Sequence, residues 1–446
     1  MKTEMGRRKF IRQSLGASVA LAAAASARRV LGANERVRIG VIGCGNRGDQ
    51  VIDAFLKHSD AEIVAVCDVY EPYRKFAIGK IGTGCEEFSD FRKLLARKDI
   101  DAVIIATPDH WHAIQFCEAC LAGKDVYVEK PLSLTVAEGR RMVEIARKTN
   151  RVTQVGIQRR SSPMCREAAE IVRSGGIGKV TVARGFHILN ESPMGIGKAQ
   201  NADPPPGLDW DLWLGPAPKA PYNPNVCFYK FRWFWPYSGG QLTNFGTHYI
   251  DLIHMGLGRS APLSITAIGG KFGNMDDRQI PDTMEVLWEY EGGTLVSFSQ
   301  YNCNAAPTTS RPAIVEFRGT LGTLYLNWNE YEIIPEEVRA EPVLARSPLD
   351  RRADAPARKA IEPRKGFQRV EDADHARDFL DCVKSRERCS CDIEIGHRST
   401  SASLLGNIAL KTKSHLQWDA ANERVTNLED ANRLLAATYR PPWQLP

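Results

Sequence analysis

A glycine-rich turn between an apolar strand and a helix restricts this 446-residue chain more than any other stretch. Residues 37–42, Val-Arg-Ile-Gly-Val-Ile, read as a buried strand. Gly43-Cys44-Gly45-Asn46-Arg47-Gly48 follows, and helix signals run on from Gly48 to Lys57. In that setting Gly43 permits a tight turn, Gly45 lets backbone approach a pyrophosphate, and Gly48 lets helix and strand pack closely. The free N–H groups and positive dipole of the helix start suit a phosphate, with Asn46 and Arg47 beside it. Asp68 closes the next strand, Glu62 to Cys67. A carboxylate there accepts hydrogen bonds from ribose hydroxyls and repels a 2′-phosphate, which favours NAD over NADP. Arg74 nearby pulls the other way.

Strands and helices then alternate. Phe88 to Ala96, Ile114 to Ala122 and Val136 to Thr149 read as helices; Ala102 to Ala106, Asp125 to Val128 and Thr153 to Gly156 read as strands. This rhythm predicts a parallel sheet covered on both faces. After about residue 160 the pattern changes to β-branched and aromatic stretches separated by Gly or Asn turns. The expected fold class is α/β: an N-terminal Rossmann dinucleotide-binding domain over 34–158, then an α+β domain over 159–446 with a large, mostly antiparallel sheet. Asp374 to Lys384 and Ser399 to Thr412 are its expected closing helices. Residues 339–369, rich in Arg and Pro, read as a long mobile loop.

The first 33 residues carry a different message. Arg7-Arg8-Lys9-Phe10-Ile11 precedes an alanine-rich apolar run, Leu15 to Ala27, and resembles a twin-arginine export signal. The run is shorter than the ~20 residues of a permanent membrane anchor, and cleavage after Ala27 or Ala33 fits the small residues there. Seven basic residues against Glu4 alone account for the whole net charge of +6, so the remaining chain is neutral and offers no footprint for nucleic acid. The twin-arginine machinery carries folded proteins. An exported chain of this kind is therefore expected to leave the cytoplasm with its cofactor tightly bound and to work in the periplasm or beyond. Eleven cysteines leave at least one without an intrachain partner. Cys117 and Cys120, and Cys389 and Cys391, read as small buried residues, and no metal site is expected.

Two motifs follow strand ends, where ligands of such sheets bind: Thr107-Pro108-Asp109-His110-Trp111-His112 and Glu129-Lys130-Pro131. A third is Gly239-Gly240-Gln241-Leu242-Thr243-Asn244-Phe245-Gly246-Thr247-His248-Tyr249-Ile250-Asp251. Together they resemble the Gfo/Idh/MocA oxidoreductases, the family of glucose–fructose oxidoreductase and inositol dehydrogenase, from about residue 36 to the C-terminus. The resemblance implies that Lys130 lies beside nicotinamide and a substrate hydroxyl, ahead of a proline bond that is often cis. It implies that His248 is the acid–base residue. Thr107, Pro108, His112 and Glu129 become cofactor contacts, with packing an equal alternative for His110 and His112. Asn244 departs from the Asp of many relatives, which removes an Asp–His relay and leaves it to orient His248 or bond a hydroxyl. Ser238 in place of the first Gly reads as trivial. The chemistry agrees: removing hydride from a secondary alcohol needs a base, and a cation near the developing alkoxide stabilises it.

Trp210 to Tyr237 crowds ten aromatic residues, four of the nine Trp among them, at a spacing that suits neither helix nor strand. Two readings stand: a packed loop sealing the second domain, or a wall for sugar C–H faces, with Trp235 against the substrate and Arg232 or Lys230 bonding its hydroxyls. The expected activity is an exported NAD(P)-dependent oxidoreductase on a sugar or sugar-derived polyol, assembled as a homo-oligomer. A redox-neutral glycoside-cleaving enzyme is the alternative, and a non-catalytic carbohydrate-binding protein the third.

Overall fold

A computed structural model describes residues 36–336 and 360–446. The expected export signal with its expected cleavage points, and most of the expected 339–369 loop, lie outside these residues.

Six parallel strands form the first sheet in the order β3-β2-β1-β4-β5-β6. They are β1 (Val37–Ile42), β2 (Ala61–Cys67), β3 (Glu86–Phe88), β4 (Ala102–Ile105), β5 (Asp125–Glu129) and β6 (Thr153–Gly156). The order reverses direction between β1 and β4, so a crevice opens over their C-terminal ends. The helix expected from Phe88 begins only at Phe91 and ends at Leu95, because Glu86–Phe88 is drawn into the sheet edge beside β2. Pro108 starts a helix, Asp109–Leu121, several residues ahead of the expected Ile114, so the Thr-Pro-Asp-His motif is a helix start. The Val136–Thr149 helix opens on a capping box, Thr135 with Glu138, and closes on Asn150 at φ 52°.

The second sheet has ten strands in the order β14-β13-β12-β11-β7-β10-β9-β8-β15-β16, where β11 is Val315–Gly319, β12 is Gly322–Leu326, β15 is Leu416–Asp419 and β16 is Arg424–Val425. Its centre is β7 (Val180–Ile188), β10 (Thr294–Tyr301), β9 (Thr283–Tyr290) and β8 (Ser264–Gly270). Every pair is antiparallel except β7 with β10. On one face Val286, Trp288, Val296 and Phe298 are buried, under the Thr247–Leu257 and Ile393–Thr412 helices. The Trp288 indole N–H donates to the Ala402 carbonyl at 3.0 Å, which satisfies its buried donor. Part of the expected loop, Arg364–Phe367, is strand β14 at the sheet edge, paired with β13 (Glu330–Pro335).

The first sheet ends with β6 at Gly156 and the second begins with β7 at Val180, but the C-terminal segment crosses back. Ala376, Phe379, Leu380 and Cys382 of the closing Asp372–Ser385 helix share a core with Val41, Ile52 and Phe55. Trp443 and Leu445 pack on the core that holds Trp111. The tail therefore clasps the first sheet to the second.

Candidate active site

The glycine turn behaves as its pattern predicts. Gly43 sits at φ +91°, with Ala106 and Thr107 backbone 2.7–2.8 Å from where a Cβ would stand. A Cβ on Gly48 would fall 1.9 Å from the Gly43 carbonyl, so Gly48 lies beneath the turn and serves its packing rather than its ligand. Gly43, Gly45, Asn46 and Arg47 line a cleft of about 340 Å³.

Asp68 closes β2 beside that turn. Its carboxylate accepts the Cys44 N–H at 2.8 Å and the Tyr70 N–H at 2.9 Å. Burial pushes it up to about 6, against the pull of those two bonds. Arg74 is already engaged: it donates to the Asp68 carbonyl at 2.6 Å and pairs with Glu87 at 3.4 Å.

Arg47 is not a free anion contact. It bonds Glu129 at 2.9 Å and Asp372 of the closing helix at 2.6 Å. Glu129, buried, lines the cleft and holds Arg47 there. Thr107 and Pro108 line the cleft, and Thr107 Oγ1 donates to Gln115 at 2.7 Å. His112 does not line it. Its ring nitrogens face the carbonyls of Pro131 and Thr107, each at 2.8 Å, so it braces the two motif loops against one another. His110 is likewise structural: its Nε2 lies 3.1 Å from the Trp213 carbonyl, and burial lowers it to about 4.

The Lys130–Pro131 bond is cis. The Lys130 amine reaches across to the second domain and donates to Asn244 Oδ1 at 2.5 Å. Burial pulls it down to about 8, opposed by Glu129 and assisted by Arg232 and Arg47. Asn244 lies in a π-helical turn, Leu242–Gly246, and its amide donates to Gln241 at 3.0 Å. Asn244 thus orients Lys130, not His248. His248 stands one turn further on, half-buried, with its Nδ1 enclosed and unpartnered among the described residues. Burial first, then Lys130, Arg159 and Arg47, hold it well below its ordinary value, so the imidazole is neutral.

The aromatic segment divides. Trp213, Tyr222, Trp233, Phe234 and Tyr237 form their own small core, with Trp210 stacked on Trp213 at 4.7 Å. Phe228, Tyr229, Phe231 and Arg232, in a 3₁₀ turn Phe228–Trp233, face the cleft. The Arg232 guanidinium lies 3.8 Å from the Tyr229 ring centre, its Nε buried and unpartnered among the described residues. Trp235 points elsewhere, into a separate hollow under Lys411, 4.0 Å from its ring, and is no part of the cleft. Lys230 anchors the segment by bonding the Ile196 carbonyl and Asn225.

Two cleft groups escape a sequence reading. Asp109 is buried in the wall, its carboxyl raised by burial, and Ser238 Oγ donates to it at 2.5 Å. The Ser at position 238, far from trivial, ties the first motif to the third across 129 residues. The only available signal was that a hydroxyl replaced a glycine.

Comparisons with known proteins agree with this geometry. The model described as "Oxidoreductase family, NAD-binding Rossmann fold" matches residues 37–157. Its companion, "Oxidoreductase family, C-terminal alpha/beta domain", matches residues 171–271 and 363–445. An inositol 2-dehydrogenase of Salmonella paratyphi B is 31% identical over 153 residues, 34% of this chain and 46% of that protein. A glycosyl hydrolase family 109 protein of a Shewanella strain is 38% identical over 125 residues, 26% of this chain and 27% of that one. The chain thus spans under half the length of these curated relatives. Among solved structures, a levoglucosan dehydrogenase in complex with NADH and levoglucosan superposes with a TM-score of 0.63 at 17% identity, covering 86% of this chain and 99% of that one. The WlbA dehydrogenase of Bordetella pertussis, in complex with NADH and UDP-GlcNAcA, gives 0.61 at 18% identity, covering 86% and 99%. These likenesses establish the fold.

Proposed function

The chain belongs to the Gfo/Idh/MocA oxidoreductase family, and on that premise we propose that it transfers hydride between a tightly held NAD(H) and a secondary hydroxyl of a sugar or sugar-derived polyol. The observation that carries this reading is the Lys130 amine, drawn down to about 8 and seated on Asn244 where the two domains meet. The relatives and neighbours named for inositol and levoglucosan support the substrate class.

The residues fit a dinucleotide. The glycine turn leaves room for a pyrophosphate beside a helix start, and Asp68 offers a carboxylate to ribose hydroxyls. Arg74 is drawn to the Asp68 carbonyl and to Glu87, and the Asp68 carboxylate repels a 2′-phosphate, which supports NAD. Bound nicotinamide supplies a two-electron hydride acceptor. The chain supplies the proton chemistry. Neutral His248, unpartnered at Nδ1 among the described residues though outside the residues that line the cleft, is the proposed proton acceptor for a substrate hydroxyl. Lys130, as ammonium, stabilises the alkoxide that develops on that oxygen. Arg232 and Asp109 at the wall are placed to bond neighbouring hydroxyls, and Phe228 and Phe231 offer flat apolar faces to sugar C–H groups.

The test incubates purified full chain, loaded with NAD, with a panel of polyols and sugars, and follows NADH absorbance and product mass. Reduction of the bound cofactor by at least one polyol is expected. Silence across the panel from protein that still binds NAD would overturn the reading. The likeness to glycosyl hydrolase family 109 proteins favours one alternative, in which oxidation, elimination and re-reduction cleave a glycoside with no net NADH; release of aryl groups from aryl glycosides without NADH accumulation would select it.

Export by the twin-arginine route belongs to the same proposal, on the strength of Arg7-Arg8 and the apolar run behind them. So does a homo-oligomer, since Ile268, Leu287 and Leu295 lie exposed on the uncovered face of the second sheet.

A further inference from the structure

We propose that Cys382 and Cys389 are a disulfide pair, closed by oxidation, that locks the helix clasping the first sheet. The inference does not rest on the proposed reaction.

Both residues are free thiols in the structure. Cys382 lies in the last turn of the Asp372–Ser385 helix. The helix stops at Arg386, at φ 64°, whose N–H bonds the Cys382 carbonyl at 2.8 Å, and the chain turns back through Cys389. This brings the two sulfurs within 4.8 Å of each other and of an Asp378 carboxylate oxygen. At this separation each thiol acts on the other: Cys389 draws Cys382 below the ordinary thiol value and is itself pushed up, which favours the thiolate at Cys382. The pair is buried, but residues 384–388 between them are exposed, which leaves a short surface turn to open for an oxidant. Cys391 is no rival partner. It belongs to a different core, and its carbonyl is held by the Val155 N–H at 2.9 Å.

A metal is the competing use of three such groups. Asp378 argues for the disulfide: its Oδ2 already accepts from Gln154 and from both the N–H and hydroxyl of Ser390, at 2.8–2.9 Å. Its carboxylate is thus spent in holding the turn in the shape that brings Cys389 to Cys382.

The step balances with a small disulfide such as oxidised glutathione. The Cys382 thiolate attacks it and expels one thiol. The Cys389 thiolate then attacks the Cys382 sulfur of the mixed disulfide and expels the second. The chain loses two protons and two electrons, and the oxidant gains both as two thiols. The consequence lies in what the helix holds. Its first turn supplies Asp372 to Arg47, and His375 lies 3.0 Å from the Val155 carbonyl in the first domain. A bridge at its far end fixes the clasp.

The test treats the purified full chain with oxidised glutathione, alkylates the free thiols, digests without reductant and maps masses. A peptide joining Cys382 to Cys389, 2 Da lighter than the dithiol form, is expected. The oxidised chain should melt about 2–4 °C higher than the reduced one, and Cys382→Ser and Cys389→Ser should each abolish that difference while retaining NAD binding. Full alkylation of both residues after oxidant overturns the proposal, as does a bridge from either one to Cys391. Purified protein carrying one zinc per chain, with both thiols protected from alkylation until chelator is added, overturns it in favour of a metal site.

Discussion

The two walls of the cleft are built by different means. The cofactor wall comes from strand ends and backbone: a glycine turn, Asp68 at the end of β2, Thr107-Pro108 after β4 and Lys130 after β5. Its groups are fixed by the sheet, so their positions follow from a strand pattern of a few residues. The facing wall comes from a 3₁₀ turn, a π-helical turn and a loop with a core of its own. Its groups are fixed by packing between distant segments. A generic ligand is thus held by regular structure, and a specific one by irregular structure on a rigid base.

Lys130, reaching from one wall to the other, should give the largest effect. Lys130→Met is expected to lower kcat by on the order of 100-fold or more, and His248→Ala by a comparable factor, with NAD affinity retained. Single-turnover NADH formation checks both, with circular dichroism as the folding control. Near-normal turnover of the histidine variant across pH would mean that another group takes the proton, and the walls would then meet at Lys130 alone. Lys130 also carries a stability signature. Its folded value of about 8 lies below the ordinary 10.5. The unfolded chain therefore holds the extra proton between these values, and the buried ammonium costs stability in full below pH 8. That cost fades as pH rises from 8 towards 10.5. The methionine variant should accordingly melt above wild type at pH 7, by a margin that shrinks towards pH 10.

Asp68→Ala probes the cofactor wall alone. Losing a charged acceptor for the ribose should weaken NAD by about 1.5–3 kcal/mol, roughly 10- to 150-fold. Calorimetric titration of refolded apo-protein measures it. Arg232→Ala probes the opposite wall. It should raise KM for the substrate about tenfold through a lost charge-assisted bond, and leave NAD affinity untouched. Trp235→Ala is its control, expected within about twofold of wild type in kcat/KM because surface sites away from such contacts are nearly neutral. If Asp68→Ala moved the substrate KM, or Arg232→Ala moved NAD affinity, the two walls would not be separable.

The same contrast explains what could be read from the chain. The turn at Gly43–Gly48, Asp68, the alternation of the first domain and the change of rhythm after residue 160 are local patterns, and each was legible. Lys130 and its cis proline bond were implied by the family resemblance that three short motifs carry. What could not be read depends on contacts between residues far apart. Arg47 looked free for a phosphate because Asp372 lies 325 residues away. His112 reads equally as a ligand contact or a packing residue, because nothing local shows that its two nitrogens face carbonyls. The strand Glu86–Phe88 is not legible, and its last residue reads as a helix start, because a three-residue edge strand has no period of its own. Trp235 and Arg232, three residues apart, looked alike, yet the chain turns between them and sends one into the cleft and the other under Lys411.

The smallest expected effect tests the contact that joins the walls. Asn244 accepts the Lys130 proton with a neutral amide oxygen, so it orients the amine without strengthening its hold on the proton. Asn244→Asp places a carboxylate at that position. An opposite charge at hydrogen-bond distance favours the ammonium, so the Lys130 value should rise from about 8 by one unit or more. Activity that needs the ammonium falls as pH climbs through that value, so the alkaline limb of the kcat profile should move to higher pH by the same amount. At pH 7, where Lys130 is protonated in both proteins, kcat should change less than about threefold. The acidic limb, which belongs to the histidine, should shift less than the alkaline one, because the carboxylate sits on the lysine. The opposite pattern, a moved acidic limb and a fixed alkaline one, would show that residue 244 speaks to His248 and that Lys130 is oriented by its own strand.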